Sequence, residues 1–391
     1  GYVNHKIPRN EKGIPWCSIM SNNYLLSAVI ISNSIFFIHS YLNFRQYVVL
    51  KRKIPNVHLF GIYPAEKIKR AFEYNLDRHA ISCVRSLLSQ SIENILLLNQ
   101  GYKLLWDISI GISGIFKSNG EIGSSIAFCF IYGILLYILD FPFELFSTFF
   151  IEAKYGFNKQ SLSLFLADIL KMLILSALIG FPSITSIVWI MKNCGTFLPW
   201  ALWLFTMMLQ VIIILIFPTI IQPLFNKFSA LESGELKSRI ETLAKSVGFP
   251  LMHIYIADGS KRSTHSNAYF FGIFKNKRIV IYDTLLNGWS TDEICAVVAH
   301  ELGHWYHGHM WKRLVPIQLQ YGCLFLSLSF LLKNDGFYSS FGFDQSRPEI
   351  IALMLLSIFL GPLFTIFGVL MNFQSRYQEY QADAFSVKCQ Y

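Results

Sequence analysis

Residues 296–309 read Ala-Val-Val-Ala-His-Glu-Leu-Gly-His-Trp-Tyr-His-Gly-His and contain the pattern H-E-x-x-H at positions 300–304. On a helix, side chains four positions apart lie on one face, so the imidazoles of His300 and His304 can bind one cation together. Glu301 then faces a water on that cation and can take its proton as the water attacks a peptide carbonyl. The pattern predicts a Zn²⁺ hydrolase site. The alternative interpretation is a buried helix with incidental histidines.

The residues just before this pattern predict the start of a helix. Ser290 or Thr291 is a suitable N-cap, and acidic residues follow at 292 and 293. Acidic side chains in the first turn stabilise the positive end of the helix dipole. The apolar run from 294 to 298 then gives the helix a face to bury. This context favours the metal-site interpretation.

The segment 226–311 is the largest stretch that is predicted to lie outside the membrane. It opens with a helix from about residue 231, whose apolar positions follow a helical period until Gly248. A strand beside the metal helix can hold an extended peptide by main-chain hydrogen bonds, whereas the alternative is that the sheet only packs the helix. Strands are predicted at 253–256, 267–274 and 278–282, with a hairpin turn at 275–277.

The composition indicates a membrane protein. Of the 391 residues, 53% are hydrophobic and only 15% are charged, which is too apolar for an ordinary soluble enzyme. The net charge of +9 is carried by loops between apolar runs. Orientation in a bilayer explains this charge better than binding to nucleic acid, so no nucleic-acid partner is expected. The seven cysteines are scattered, which argues against a disulfide framework and against a cysteine zinc cluster.

Seven apolar runs are long enough to cross about 30 Å of hydrocarbon. The second run is the weakest, because Asn99, Gln100, Lys103 and Asp107 interrupt it. The predicted spans are 24–42, 92–116, 122–150, 162–191, 197–224, 314–332 and 350–373.

Seven crossings place alternate loops on opposite sides of the membrane. One side receives nine cations between Arg45 and Arg85, together with the segment 226–311 and the carboxyl end. The other side receives short loops with four cations. The positive-inside rule therefore predicts that the H-E-x-x-H segment faces the cytoplasm. The alternative, in which one weak span is a re-entrant piece, would reverse part of this topology.

Several predicted spans carry ionisable side chains, namely Asp140 and Glu144 in the third and Asp168 and Lys171 in the fourth. A charge at the bilayer centre costs about 2.5 to 3.5 kcal/mol on insertion scales, so these groups should face protein or water. Their presence predicts a wet interior between the helices. The alternative for Glu144 and Lys171, which lie near predicted span ends, is snorkelling towards the membrane surface.

A catalytic zinc site needs a third protein ligand as well as an open position. The metzincin pattern fails here, because it asks for glycine at 307 and histidine at 310, where the chain has His307 and Met310. Glu379 and Asp383 follow the last apolar span and share one helix face. Glu379 can thus bind the metal while Asp383 hydrogen-bonds a ligand imidazole, against the alternative of a solvated helix face. His307 and His309 are predicted to lie on the motif helix, exposed or behind the ligands.

Several linked motifs make the chain resemble the type I CAAX prenyl proteases, the intramembrane zinc metalloproteases of the endoplasmic reticulum and inner nuclear membrane. The resemblance covers nearly the whole chain. The motifs are His-Glu-Leu-Gly-His-Trp at 300–305, the stretches 258–272 and 278–285, Ser-Arg-x-x-Glu-Tyr-Gln-Ala-Asp at 375–383, Tyr-Gly-Phe-Asn-Lys at 155–159 and Phe-Asn-Lys-Phe at 225–228.

This resemblance implies a mainly α, polytopic membrane fold. Seven transmembrane helices would surround a large water-filled chamber, which a small α+β zinc-peptidase domain closes on the cytoplasmic side. It also implies the activity, which is removal of the last three residues after a prenylated cysteine, with a second cut in some prenylated precursors. The partners would then be prenylated CAAX proteins or peptides and membrane lipid.

The resemblance also implies roles for individual residues of this chain. His300, His304 and Glu379 would be the metal ligands, Glu301 the general base, and Asn267 and Ala268 part of the edge strand that holds the substrate. The family has a further His and Arg beyond its last ligand helix, and this sequence stops before that point. The sequence starts at Gly1 rather than Met and stops at Tyr391 inside a predicted helix, so we expect both ends to be trimmed. No signal peptide is visible at the start.

Three regions are predicted along the chain. Residues 1–225 hold the first five transmembrane helices, 226–311 form the cytoplasmic zinc-peptidase segment, and 312–391 hold the last two spans and the third-ligand helix. Two other functions fit the residues. One is a membrane quality-control zinc protease, and the other is a non-catalytic membrane protein with a structural metal.

Overall fold

A computed structural model of the chain describes residues 16–52, 64–115, 120–273 and 276–391, without the side chains of residues 16–22 and 273. Parts of several predicted features fall outside these ranges. They include the hairpin turn at 275–277, the basic loop after the first span and the loop 117–121 between the second and third spans. Residues 276 and 277 of the predicted turn belong to a strand instead.

The chain is a mainly helical, multi-pass membrane protein. π-Helical turns at Ser147–Glu152 and Phe217–Ile221 extend two of the long helices. The helices before the sheet are α1 Trp16–Arg52, α2 Ala65–Leu98, α3 Gly101–Ile115, α4 Glu121–Phe146, α5 Leu162–Asn193, α6 Leu198–Ile216 and α7 Gln222–Phe225. Those after the metal helix are α11 His309–Leu331, α12 Asp335–Ser340, α13 Glu349–Phe359 and α14 Gly361–Lys388.

Five helices within the described ranges are long and apolar enough to cross a membrane. A sixth span results if α13 and α14, which meet at a bend of 61°, count as one. Each of the six matches a predicted span, and the five single ones are Asn23–Arg52, Glu121–Glu152, Leu162–Asn193, Gly195–Phe225 and His309–Leu331.

The predicted second span, 92–116, does not form one continuous helix. Helix α2 ends at Leu98 and α3 begins at Gly101, with Gln100 at a φ of 52° between them. A Cβ on Gly101 would lie 2.9 Å from the Cα of Leu96, so only glycine fits this tight break. Asn99 and Gln100, two of the polar residues that weaken the apolar run, therefore coincide with a break between two helices. Seven spans around a chamber stay a prediction.

Three of the four ionisable side chains named in the predicted spans are paired with protein groups. Arg85 of α2 donates to Asp140, which also lines a cavity of about 500 Å³. Asp168 accepts from Arg262 at 2.8 and 3.0 Å, a bidentate pair that ties the start of α5 to the segment after the membrane helices. Lys171 donates to the carbonyl of Leu224 at 2.9 Å. Pairing of this kind offsets the cost of placing charge in a membrane.

The segment after the membrane helices forms a small four-stranded sheet with helices packed against it. The strand order is β1-β2-β4-β3, in which β2 and β4 are parallel and the other two pairs are antiparallel, so β3 is an edge strand. Its elements are β1 Phe228–Ala230, α8 Glu235–Ser246, β2 Leu251–Ala257, β3 Ala268–Ile273, β4 Asn276–Tyr282, α9 Asp283–Gly288 and α10 Thr291–Tyr306.

The three predicted strands of this segment and its first helix are confirmed, with shifted ends. Two elements were not predicted. The short strand β1 pairs with the end of β2, and α9 separates the hairpin from the metal helix. The buried side chains of α8, β4 and α10 form one apolar core, to which Phe385 of α14 also contributes. The last helix of the chain therefore contributes to the core of the sheet segment.

Candidate metal centre

Helix α10, which carries the H-E-x-x-H pattern, begins with a complete capping box. The Ser290 hydroxyl accepts from the backbone N–H of Glu293 at 3.3 Å, and the Glu293 carboxylate accepts from the N–H of Ser290 at 2.8 Å. These bonds satisfy two backbone donors and hold the pKa of Glu293 below its usual range. Ser290, one of the two predicted candidates, is thus the N-cap.

The face of α10 that points away from His300 and His304 is buried in the apolar core of the sheet segment. Val298, Ala299 and Leu302 are almost completely inaccessible to solvent. Their burial fixes the rotation of the helix about its axis. His300 and His304 consequently lie on the remaining face, with their Nε2 atoms 3.1 Å apart.

Glu379 of α14 joins the two histidines. Its Oε2 lies 3.3 Å from Nε2 of His300 and 3.5 Å from Nε2 of His304. The three residues form a group whose ligand atoms all lie within 4.8 Å of one another. A tetrahedral ion bound at about 2.0 to 2.2 Å separates its ligand atoms by about 3.3 to 3.6 Å. The observed separations of 3.1 to 3.5 Å are close to these values, so this donor set fits a tetrahedral metal ion.

The close approach of α14 to α10 depends on Gly303. A Cβ at this position would lie 3.0 Å from the Cα and 3.1 Å from the carbonyl oxygen of Ala382. Ala382 is completely buried. Any side chain at 303 would therefore push against the backbone of the helix that carries Glu379.

Each residue of this candidate donor set has a polar partner on the side away from the other two. Nδ1 of His300 lies 2.8 Å from Oδ1 of Asp383, as predicted for that carboxylate. A hydrogen bond of this kind fixes the tautomer and the ring direction of a ligand imidazole. The free oxygen of Glu379 lies 3.4 Å from Nη2 of Arg313.

The partner of His304 is His309, with their Nδ1 atoms 2.8 Å apart. The prediction that His309 lies on the motif helix is wrong, whereas His307 is the C-cap of that helix. Helix α10 ends at Tyr306, and Gly308, at a φ of 63°, separates it from α11, which starts with His309. The αL conformation of glycine ends one helix and lets the next begin in a new direction.

Glu301 lies between the two histidines in the sequence and is largely buried. The pKa of its carboxyl is raised to about 7, mainly by burial, while the charge of His300 opposes the shift and that of Glu379 adds to it. A carboxyl with a pKa near neutrality suits proton transfer at physiological pH. Burial also lowers the pKa of His304, which favours the neutral imidazole that binds metals.

The two residues predicted to hold a substrate lie at the edge of the sheet. Ala268 is the first residue of β3 and is buried, whereas Asn267 precedes the strand and is exposed. The carbonyl of Asn267 accepts from the N–H of Tyr282 at 3.0 Å, which continues the pairing of β3 with β4. Helix α10 packs against β3, so the helix of the two histidines and the edge strand are neighbours.

Four residues of the site were missed or misplaced by sequence reasoning. His309 was placed on the wrong helix, and no role was predicted for Gly303, Arg313 or Gln381. A signal exists for Gly303, because a glycine in the middle of a helix is unfavourable unless another backbone comes close. The partners of His309 and Arg313 depend on how α11 packs against α14, which no local pattern records.

Comparisons with known proteins agree with this architecture. Residues 45–227 match the family model described as CAAX prenyl protease N-terminal, five membrane helices. Residues 230–391 match the model of peptidase family M48. The boundary between the two matches falls at the start of the sheet.

Individual relatives match most of the chain. A CAAX prenyl protease 1 homolog of Oryza sativa subsp. japonica is 37% identical and covers 94% of this chain and 87% of its own length. CAAX prenyl protease 1 of Saccharomyces cerevisiae is 34% identical over 98% of this chain and 87% of its own. The crystal structure of S. mikatae Ste24p superposes with a TM-score of 0.87 at 34% identity, covering 96% of this chain and 89% of that one.

Proposed function

The chain belongs to peptidase family M48, among the CAAX prenyl proteases, and we propose that it is a zinc-dependent endopeptidase that removes the last three residues from prenylated CAAX proteins. The observation that carries this proposal is the meeting of His300, His304 and Glu379 at the spacing of a tetrahedral site. Two imidazoles and one carboxylate are a ligand set typical of catalytic zinc, and they leave the fourth position for water or substrate.

In the proposed reaction, His300, His304 and Glu379 would hold the zinc ion. When bound, zinc polarises a water and the carbonyl of the scissile peptide bond. Glu301 accepts the proton of the attacking water and then donates it to the departing amine. Asp383 keeps the ring of His300 in the orientation that binding requires, through the hydrogen bond at 2.8 Å.

The substrate would bind as an added strand along β3. Asn267 and Ala268 begin this edge strand, whose free N–H and C=O groups can pair with an extended peptide. Strand addition holds the main chain of the peptide, so it places a scissile carbonyl beside the metal with little demand on the side chains. This suits an enzyme whose substrates share a prenylated cysteine and otherwise differ.

The membrane arrangement supports a site for the lipid part of the substrate. An apolar cavity of about 600 Å³ lies between α6 and α11, and its lining includes Trp200, Trp203 and Trp311. Its apolar walls suit a prenyl chain, which gains about 0.8 kcal/mol for each buried methylene group.

The cellular setting belongs to the same proposal. We place the protein in the endoplasmic reticulum membrane, and in the inner nuclear membrane that is continuous with it, with the site facing the cytoplasm. The excess of cations on that side supports this orientation.

We also propose that seven spans surround a water-filled chamber. This proposal is supported by two cavities of about 500 and 390 Å³, which share the polar residues Ser89 and Glu93. We also keep the proposed division of the chain into three regions at residues 225 and 311, since all four strands lie between these positions.

The test is a cleavage assay in detergent or vesicles with a farnesylated CAAX peptide. Glu301→Gln removes the base and keeps the shape, so we expect turnover to fall about 10²- to 10⁴-fold while zinc is retained. Glu241→Gln, which changes an exposed glutamate on α8, is the matched control and should cleave like the wild type.

Equal turnover by wild type and Glu301→Gln would overturn the proposal. Cleavage of unprenylated, misfolded membrane proteins at a comparable rate would identify a quality-control protease instead. Bound zinc without any turnover by the wild type would support a structural metal.

A further inference from the structure

The side chains of His304, His309 and Gln381, from three different helices, form a continuous hydrogen-bonded row. Nδ1 of His304 lies 2.8 Å from Nδ1 of His309, and Nε2 of His309 lies 3.1 Å from Oε1 of Gln381. His304 belongs to α10, His309 to α11 and Gln381 to α14. The row therefore connects the metal helix with both helices that follow it.

From this geometry we propose that His309, held by Gln381, is a positioning residue that fixes the tautomer and the ring direction of His304. The inference rests on the proposed zinc site, because it concerns how one of its ligands is oriented. His309 itself does not touch the ion, since its contact with His304 is on the side of that ring away from Nε2.

The hydrogen-bond directions in this row follow from metal binding. An imidazole that binds a metal through Nε2 must carry its proton on Nδ1. Nδ1 of His304 is then the donor, so Nδ1 of His309 must accept. The proton of His309 therefore lies on Nε2 and is donated to the carbonyl oxygen of Gln381, which is the orientation that the Gln381 amide has.

The two ligand histidines are supported in different ways. The partner of His300 is the carboxylate of Asp383, whose side chain is 68% exposed. The partner of His304 is a neutral imidazole that is only 2% exposed. Water can replace an exposed partner, but it cannot reach a buried one, and an unpaired buried donor costs about 1 to 3 kcal/mol. The bond from His304 to His309 should therefore hold its ligand ring more strictly.

The main experiment replaces His309 in the full-length protein and measures loss of zinc to a chelator. His309→Phe keeps the planar shape but offers no acceptor, so we expect zinc to be lost about 10- to 100-fold faster. His309→Asn places an amide oxygen near the position of Nδ1 and should restore most of the retention. His307→Phe is the control, because His307 lies against the ring of His309 without a described hydrogen bond to His304.

A purely structural role for His309 would not distinguish the two replacements in this way. Cobalt-substituted protein adds a readout of ligand geometry, and its visible absorption should change in His309→Phe and stay near the wild type in His309→Asn. The inference is overturned if His309→Phe retains zinc as long as the wild type does. It is equally overturned if His309→Asn loses zinc as fast as His309→Phe.

A second pair of variants applies if His309→Phe does not fold. Gln381→Leu removes the acceptor for His309 and should release zinc faster, whereas Gln381→Glu keeps an acceptor and should release it no faster than the wild type. Equal rates for this pair would contradict the inference. Failure of the proposed function is recognised separately, as a wild-type protein that retains zinc but does not cleave the prenylated peptide.

Discussion

The two ends of helix α10 are built on different principles. Its amino end is closed by neighbours in the sequence, since Ser290 and Glu293 bond to each other's backbone within a single turn. Its carboxyl end is shaped by remote residues, because Gly303 lies against Ala382 and His304 against His309. The first end therefore contributes stability that any helix could have. The second end brings Glu379 and the partner of His304 to the proposed metal site, so the proposed chemistry depends on it.

The largest expected effect comes from closing the gap between α10 and α14. Gly303→Ala adds a Cβ 3.0 Å from the backbone of Ala382, so α14 must move by a few tenths of an ångström. That shift moves Glu379 away from both histidines, and we expect zinc affinity to fall about 10- to 100-fold. Zinc content after dialysis against a chelator and turnover of a prenylated peptide measure the effect.

The control for this change is Gly368→Ala on α14, where a Cβ would have no heavy atom within 4 Å. Alanine favours a helix by about 1 kcal/mol over glycine, so this variant should keep its zinc and its activity. If Gly303→Ala also binds zinc like the wild type, the carboxyl end of α10 is less constrained than the contact with Ala382 indicates.

An intermediate effect concerns pH and the middle of α10. The pKa of Glu301 is raised to about 7, mainly because the carboxyl is buried. The base must be ionised to accept a proton, so activity is complete above this pKa and is lost as the pH falls through it. A bound dication favours the ionised carboxylate, so it moves this loss of activity to lower pH. We expect kcat/KM to decline by up to about tenfold per pH unit on the acidic side.

A pH–rate profile between pH 5 and 8, recorded with zinc in excess, tests this expectation. Zinc must be in excess because the ligand histidines also gain protons as the pH falls and release the metal. A rate that rises as the pH is lowered through this range would exclude Glu301 as the base.

The smallest expected effect is at the amino end of α10. Ser290→Ala removes the hydroxyl that accepts from the N–H of Glu293, which should lower the free energy of unfolding by about 1 kcal/mol. Turnover and zinc content should not change, because the metal ligands lie two turns or more from the cap. Thermal unfolding measures the change in stability, and the cleavage assay measures turnover. A loss of zinc in this variant would mean that the two ends of α10 are not independent.

Much of the site could be predicted because it consists of residues with a fixed spacing on a helix. His300, His304 and Glu301 follow from one local pattern. Glu379 and Asp383 share a face of α14 and point in the direction that the pairing needs. The strands of the sheet were found from their apolar composition, but the parallel pairing of β2 with β4 was not, because it joins residues that a loop and a third strand separate.

The membrane helices give a similar lesson. Hydrophobic length predicted six helical regions that match candidate spans, since a bilayer requires long apolar segments. The break at Gln100 and the bend of 61° between α13 and α14 were not predicted. Both depend on how the helices pack. A Cβ on Gly361, at the bend, would come within 2.5 Å of Ile35 in α1.

The sequence by itself determined the class of protein, the helix of the metal centre and its candidate ligands. These features follow from hydrophobic length, from helical period and from the chemistry of histidine and carboxylate side chains. Only the tertiary structure decided that α14 approaches α10 at Gly303 and that the buried His309 and Gln381 stand behind His304. Contacts of this kind join residues that are far apart in the chain, so they depend on the packing of whole helices, which local spacing does not encode.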